Sequence, residues 1–117
     1  MQVMLMCCIE ESRWDALPAA EREAVMKDYG AWIADVERAG QHRVSERLAA
    51  PAEARTLRLQ GGKAVVTDGP FAETKEQLGG FHILECRDVD EALAIAARIP
   101  TLRVGGTIEV RAVESGA

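Results

Sequence analysis

Long hydrophobic runs are missing from this sequence, which falls short of the roughly 18 consecutive apolar residues a membrane-spanning helix requires. The apolar start, Met1 to Ile9, has no basic flank and no small-residue cleavage site, and it leads straight into Glu10 and Glu11. A secretory leader is therefore not expected. Positive charge is scarce: 14 Lys and Arg stand against 19 Asp and Glu, a net charge of −5. That balance argues against nucleic-acid partners and against an anionic membrane surface. Cysteine is sparse, and Cys7, Cys8 and Cys86 form an odd set without CxxC spacing. A reduced, cytoplasmic chain follows more simply than a disulfide framework. With only two histidines, and with Cys7 and Cys8 on opposite faces of a strand, no metal site is expected. Glycine-rich phosphate loops, nucleophile elbows and dinucleotide fingerprints are lacking too, so no cofactor is expected. Repeats, low-complexity tracts and linkers are also absent. What remains is an ordinary globular composition of 117 residues, 48% hydrophobic and 28% charged. That is one domain, 1–117, large enough to fold without disulfides or metal.

The first element reads as a strand. Val3, Leu5, Cys7 and Ile9 point one way and Met4, Met6 and Cys8 the other, so both faces call for cover. Trp14 to Leu17 reads as a connector, and Pro18 suits a first helical turn. Val25, Tyr29, Trp32, Ile33 and Val36 then form a helical stripe, stopped by Gly40. His42 to Leu48 is a shorter strand, and Ala49 to Ala54 a surface loop. Thr56–Gln60 and Lys63–Thr67 flank Gly61-Gly62, the signature of a type I′ hairpin, pairing Leu57 with Val66, Leu59 with Ala64 and Arg58 with Val65. Phe81 to Cys86 is a strand. Asp88 and Glu91 form a capping box for a second helix, which ends before Pro100. Thr107 to Val113 is the last strand, and the tail from Glu114 to Ala117 is expected to fray.

This order is an α+β plan, a ferredoxin-like split βαβ with an antiparallel sheet, an extra hairpin and two helices on one face. The second apolar face of the first strand then invites a homodimer through the open side of the sheet.

The most unusual stretch runs from Thr67 through Asp68-Gly69-Pro70-Phe71 to Gly79-Gly80-Phe81. It resembles the signature of the YCII-related proteins, in the DGPF-domain branch, and the layout of the whole chain agrees. The resemblance implies a dimeric α/β barrel. It also implies association with extracytoplasmic-function sigma factors for some members, and cofactor-free enzymes among a few relatives. In the wider family a His on the first helix and an Asp before the proline that follows the second helix act together. Tyr29 and Ile99 stand at those positions here, so the chemistry of that dyad does not carry over.

The residues themselves offer other candidates. Asp68 can accept the Phe71 N–H in an Asx-type turn, with Phe71 plugged into the interior, or it can line a cleft as a general base. Gly79-Gly80 would admit another backbone or a ligand at close range. His82 is a second candidate base, placed on the open side of the sheet near Asp68. His42 reads as a surface residue. Tyr29, Phe71 and Arg111 are candidate ligand contacts, Arg111 as an anion clamp. Three functions follow as expectations. The first is a dimer binding a small molecule or a partner protein. The second is a cofactor-independent isomerase or lyase using Asp68 or His82. The third is a sigma-factor accessory.

Overall fold

The computed structural model describes residues 1–72 and 74–114, so Glu73 and most of the tail expected to fray lie outside it. Among the described residues nine helices and strands follow one another: β1 (Gln2–Ile9), α1 (Glu11–Asp15), α2 (Ala19–Arg38), β2 (His42–Arg47), β3 (Arg55–Gln60), β4 (Lys63–Asp68), β5 (Gln77–Glu85), α3 (Val89–Ala96) and β6 (Thr107–Ala112). Short 3-10 turns span Pro51–Glu53 and Pro100–Val104. Four strands pair antiparallel in the order β2–β5–β1–β6, while β3 and β4 pair only with each other. The expected split βαβ plan is present, with the hairpin inserted between two neighbouring strands of the sheet.

Local chemistry accounts for the boundaries. Pro18, at the head of α2, has no N–H to leave unpaired. Gly40 at φ 72° ends the helix, with the Gln41 N–H donating to the Val36 carbonyl and the Gly40 N–H to that of Glu37, each at 3.0 Å. That is a Schellman closure, which glycine adopts without a Cβ penalty. The Asp88 carboxylate accepts the Glu91 N–H at 2.8 Å at the start of α3. Glu91 in turn accepts the Arg87 N–H at 3.0 Å, one residue earlier than a strict capping box.

Packing follows the alternation of the strands. Val3 and Leu5 of β1 and Leu84 of β5 join Trp32 and Val36 of α2 and Ala92, Ala96 and Ile99 from α3 and its exit. Each wholly buried leucine or isoleucine contributes about 1.5–3 kcal/mol. All of this lies on one side of the sheet. The other side carries half-buried Met4, Met6, Phe81 and Ile83, with Glu109 and Arg111 exposed on β6.

Two elements differ from the sequence reading. Glu11–Asp15 is a helical turn that takes in Trp14 and Asp15 of the connector expected at Trp14 to Leu17, because the Glu10 carbonyl accepts the N–H groups of both Arg13 and Trp14. Strand β5 begins at Gln77, not Phe81, because Gln77 and Leu78 find Ile9 and Cys8 on β1 beyond a bulge at Gly79. The close approach expected of the glycine pair belongs to Gly80, where a Cβ would lie 2.8 Å from the Glu46 carbonyl oxygen.

The hairpin has the expected register, with Gly61 at φ 56° and Gly62 at φ 77°. It projects as an arm. The radius of gyration is 16.2 Å, against roughly 13 Å for a compact chain of similar length. Leu57 and Leu59 on the arm are 67% and 76% exposed.

Candidate functional site

At one end of the sheet β1 runs out, β5 begins and β2 turns into the Ala49–Pro51 loop. Helices α1 and α2 stand over this end. The space between them is a cleft of about 530 Å³. Its walls are mostly apolar, with Ile9, Trp14, Met26, Ile33, Leu48 and Leu78 among them; Cys7, Tyr29, Ser45 and His82 are among its polar groups, and Glu11, Asp15, Glu46 and Arg47 add charged side chains to the lining.

The period of α2 points Tyr29 at the sheet, one turn before Trp32. Trp32 donates its indole N–H to the Ile95 carbonyl at 3.0 Å, which fixes its ring. His82 lies under both rings, 5.7 Å from that of Tyr29 and 4.8 Å from that of Trp32, centre to centre. It is only 5% exposed. The alternation of β5 puts it on the helix side with Leu84 and Cys86, opposite Leu5 of β1.

A continuous line of hydrogen bonds crosses this floor. The Cys7 thiol and the Tyr29 hydroxyl are 3.4 Å apart. The Tyr29 oxygen lies 2.6 Å from His82 Nε2, and Ser45 Oγ lies 2.6 Å from His82 Nδ1. His42 Nε2 is 2.7 Å from the same Ser45 oxygen. Both ring nitrogens of a buried imidazole are thus satisfied, as burial demands.

Burial sets the protonation states. It lowers the His82 pKa from 6.5 to about 4, with the neighbouring His42 adding to the effect. It pushes the Tyr29 hydroxyl well above its ordinary value of 10, reinforced by the contact with Cys7. The Cys7 thiol is likewise raised, chiefly by burial, although its bond to Tyr29 pulls the other way. At neutral pH the line is therefore uncharged from Cys7 to His82: thiol, phenol and neutral imidazole. Among the described residues no three His, Cys, Asp or Glu side chains converge as metal ligands would. Within the cleft lining, Tyr29, His82 and Ser45 form the hydrogen-bonded group built around a buried side chain.

The residues named from sequence scatter. Tyr29 and His82 meet in the cleft. His82 does not face the open side of the sheet, because it shares the parity of Leu84 rather than that of Phe81 and Ile83. Nor does it lie near Asp68, whose side chain is 89% exposed on the arm and pairs with Arg55 at 3.7 Å. Gly69 instead donates its N–H to the Ala54 carbonyl at 2.7 Å, so the loop closes through the main chain and Asp68 does not cap Phe71. Phe71 is no plug: it is 77% exposed, with the Arg58 guanidinium 5.2 Å from its ring centre. Arg111 is exposed on the open face of β6 and lies outside the cleft lining. His42 is half-buried and bonded to Ser45, not a free surface residue. Ile99, at the family's acidic position, is wholly buried in the core. Sequence reading missed Ser45, which no motif marks; only its pairing with His82 across β2 and β5 reveals it.

Comparison with known proteins adds three findings. The YCII-related domain matches residues 1–115. An uncharacterised protein of Rhizobium meliloti (strain 1021) is 39% identical over 112 residues, covering 95% of this chain and 90% of that protein. Among solved structures, 5-chloro-2-hydroxyhydroquinone dehydrochlorinase from Burkholderia phenoliruptrix AC1100, in complex with 2,5-dihydroxybenzoquinone, aligns with a TM-score of 0.50. That alignment covers 99% of this chain and 96% of that one at 18% identity, a likeness of fold.

Proposed function

We propose, for a chain that belongs to the YCII-related family, that the cleft binds a small, flat, largely apolar molecule bearing a hydroxyl or carbonyl oxygen. One observation carries this reading: an apolar cleft holds Tyr29 with its hydroxyl 2.6 Å from a buried, neutral His82. Sites of this size bury small ligands against apolar walls and orient them with few polar groups. His82 holds the phenol in place, and the ligand's oxygen meets the Tyr29 hydroxyl. The dehydrochlorinase that shares this fold is complexed with a flat ring bearing two hydroxyl and two carbonyl oxygens, which supports a ligand of that class.

Recognition is favoured over proton abstraction by His82 itself. An imidazole that ionises near pH 4 is a weak base at neutral pH. A second copy of the chain would cover Met4, Met6, Phe81 and Ile83 on the open sheet, and light scattering should find a dimer at micromolar concentration.

The test of binding is calorimetric titration with 2,5-dihydroxybenzoquinone, paired with native mass spectrometry of the purified protein. Removing one hydroxyl contact by Tyr29→Phe should weaken binding about 2–10-fold, the usual worth of a single hydrogen bond. Equal affinity of both proteins would place the ligand elsewhere.

A further inference from the structure

We propose that Tyr29, His82, Ser45 and His42 form a proton relay, which carries the hydroxyl proton of a bound ligand from the cleft to His42 on the edge strand of the sheet. The proposal rests on the binding reading above and extends it to the ligand's ionisation. His42 does not line the cleft. Its only link to Tyr29 in this line runs through Ser45 and His82, over steps of 2.7, 2.6 and 2.6 Å.

Two directions of hydrogen bonding satisfy these groups completely, and no mixed direction does. In the first, the Tyr29 O–H donates to His82 Nε2, the His82 Nδ1–H donates to the Ser45 oxygen, and the Ser45 O–H donates to His42 Nε2. In the second every bond is reversed: His42 Nε2–H donates to Ser45, Ser45 to His82 Nδ1, and His82 Nε2–H to Tyr29. A neutral imidazole has one donor and one acceptor nitrogen, so the two bonds of His82 reverse together; Ser45 could accept from both imidazoles only by leaving its own O–H without a partner in this line.

Ligand ionisation converts the first direction into the second. The ligand's hydroxyl proton moves to the Tyr29 oxygen as the tyrosine proton moves to His82 Nε2. The His82 Nδ1 proton passes to Ser45, and the serine proton to His42 Nε2. At the end the ligand is an oxyanion and His42 an imidazolium. Tyr29, His82 and Ser45 are neutral at the start and at the finish, so no charge is left on the buried groups, where it would be most costly. The weak basicity of His82 fits this role, since it passes a proton without keeping one.

The charged groups around the terminus come from four elements. Arg43 on β2 donates to the His42 carbonyl. Glu85 at the end of β5 is tied to the Met1 ammonium, and Glu91 of α3 to Gln41, which precedes His42. Arg38, at the end of α2, is paired with Asp35 on its own helix.

The test uses the full chain with ¹⁵N-labelled histidine. As acid protonates His42, the neutral His82 should switch from the Nδ1–H to the Nε2–H tautomer in the same step. Ser45→Ala should abolish that coupling while His42 still takes up its proton, and Ser45→Thr should restore it. A His82 tautomer that stays fixed while His42 titrates, or a His42 that never protonates, overturns the relay. p-Nitrophenol then probes the cleft, because its phenolate absorbs visible light. Wild-type protein should bind it as phenolate at a pH where the free probe is neutral, and His42→Gln should bind it uncoloured. Colourless binding to the wild type overturns the relay but leaves the binding reading standing. Absence of binding overturns that reading, and with it the ligand's part in the relay.

Discussion

Adjacent glycines in β5 offer a test in which one methyl group decides the outcome. At Gly80 a Cβ would meet the Glu46 carbonyl oxygen at 2.8 Å, and that neighbour is backbone. At Gly79 the nearest atom is the Cys7 carbonyl oxygen at 3.8 Å, an ordinary contact. Neither glycine has a positive φ, so replacing either by alanine strains no dihedral. Both replacements restrict the unfolded chain equally and share a gain of about 0.4–1 kcal/mol. Their difference therefore isolates the clash. Forcing β2 away from β5 to admit the methyl should cost about 1–3 kcal/mol, the range for overpacking. For a chain of this length that corresponds to about 4–12 °C between the two melting temperatures. Urea titration of Gly79→Ala and Gly80→Ala, with equal slopes confirming two-state unfolding, measures the gap. Coincident curves would refute the reasoning, because β2 would then not press on β5 at this point.

Acid should unfold the protein partly through His82. The unfolded imidazole binds its proton near pH 6.5 and the folded one only near 4, so stability is complete above 6.5 and falls as pH drops between these values. In a His42→Gln background, about 2 kcal/mol should be lost from pH 7.5 to 5; a flat profile contradicts the burial of a neutral ring. Asp88→Ala removes the acceptor of the Glu91 N–H and should cost about 1 kcal/mol by thermal melting, with Asp88→Asn costing less. Asp68→Ala should leave both the melting temperature and cleft binding unchanged, since its carboxylate is exposed and makes only a long ion pair with Arg55; a clear drop in either would restore a role for it.

Much of the fold was legible because the information is local. The stripe from Val25 to Val36, the Gly40 stop, the Asp88 cap and the Gly61-Gly62 turn each depend on residues a few positions apart. The site was legible only in part, because it is assembled by strand pairing across long stretches of chain. Tyr29 and His82 are 53 positions apart and Ser45 and His82 are 37. The spacing does hold a clue to the orientation of His82, which shares its parity with Leu84 and Cys86. That clue was ambiguous, because Phe81 and Ile83 make the opposite face apolar as well. Asp68 and Phe71 misled for a related reason. Turn chemistry at Gly69-Pro70 is satisfied by the Ala54 carbonyl, which sequence spacing alone could not supply.

The projecting arm has one more consequence, for how this protein can change over time. Strands β2 and β5 are antiparallel neighbours, with Arg47 paired to Gly80 and the Leu48 N–H donating to the Gly79 carbonyl at 2.8 Å. The ladder is thus already closed at the point where the chain departs into β3 and β4, and no residue of the arm belongs to the buried core. The arm is an excursion that leaves the scaffold and returns to the same place. Its length and sequence can drift without loosening the sheet, much as surface loops tolerate insertions at small entropic cost. Lineages sharing the ancestral sheet could therefore carry long, short or missing arms and still inherit the same cleft floor.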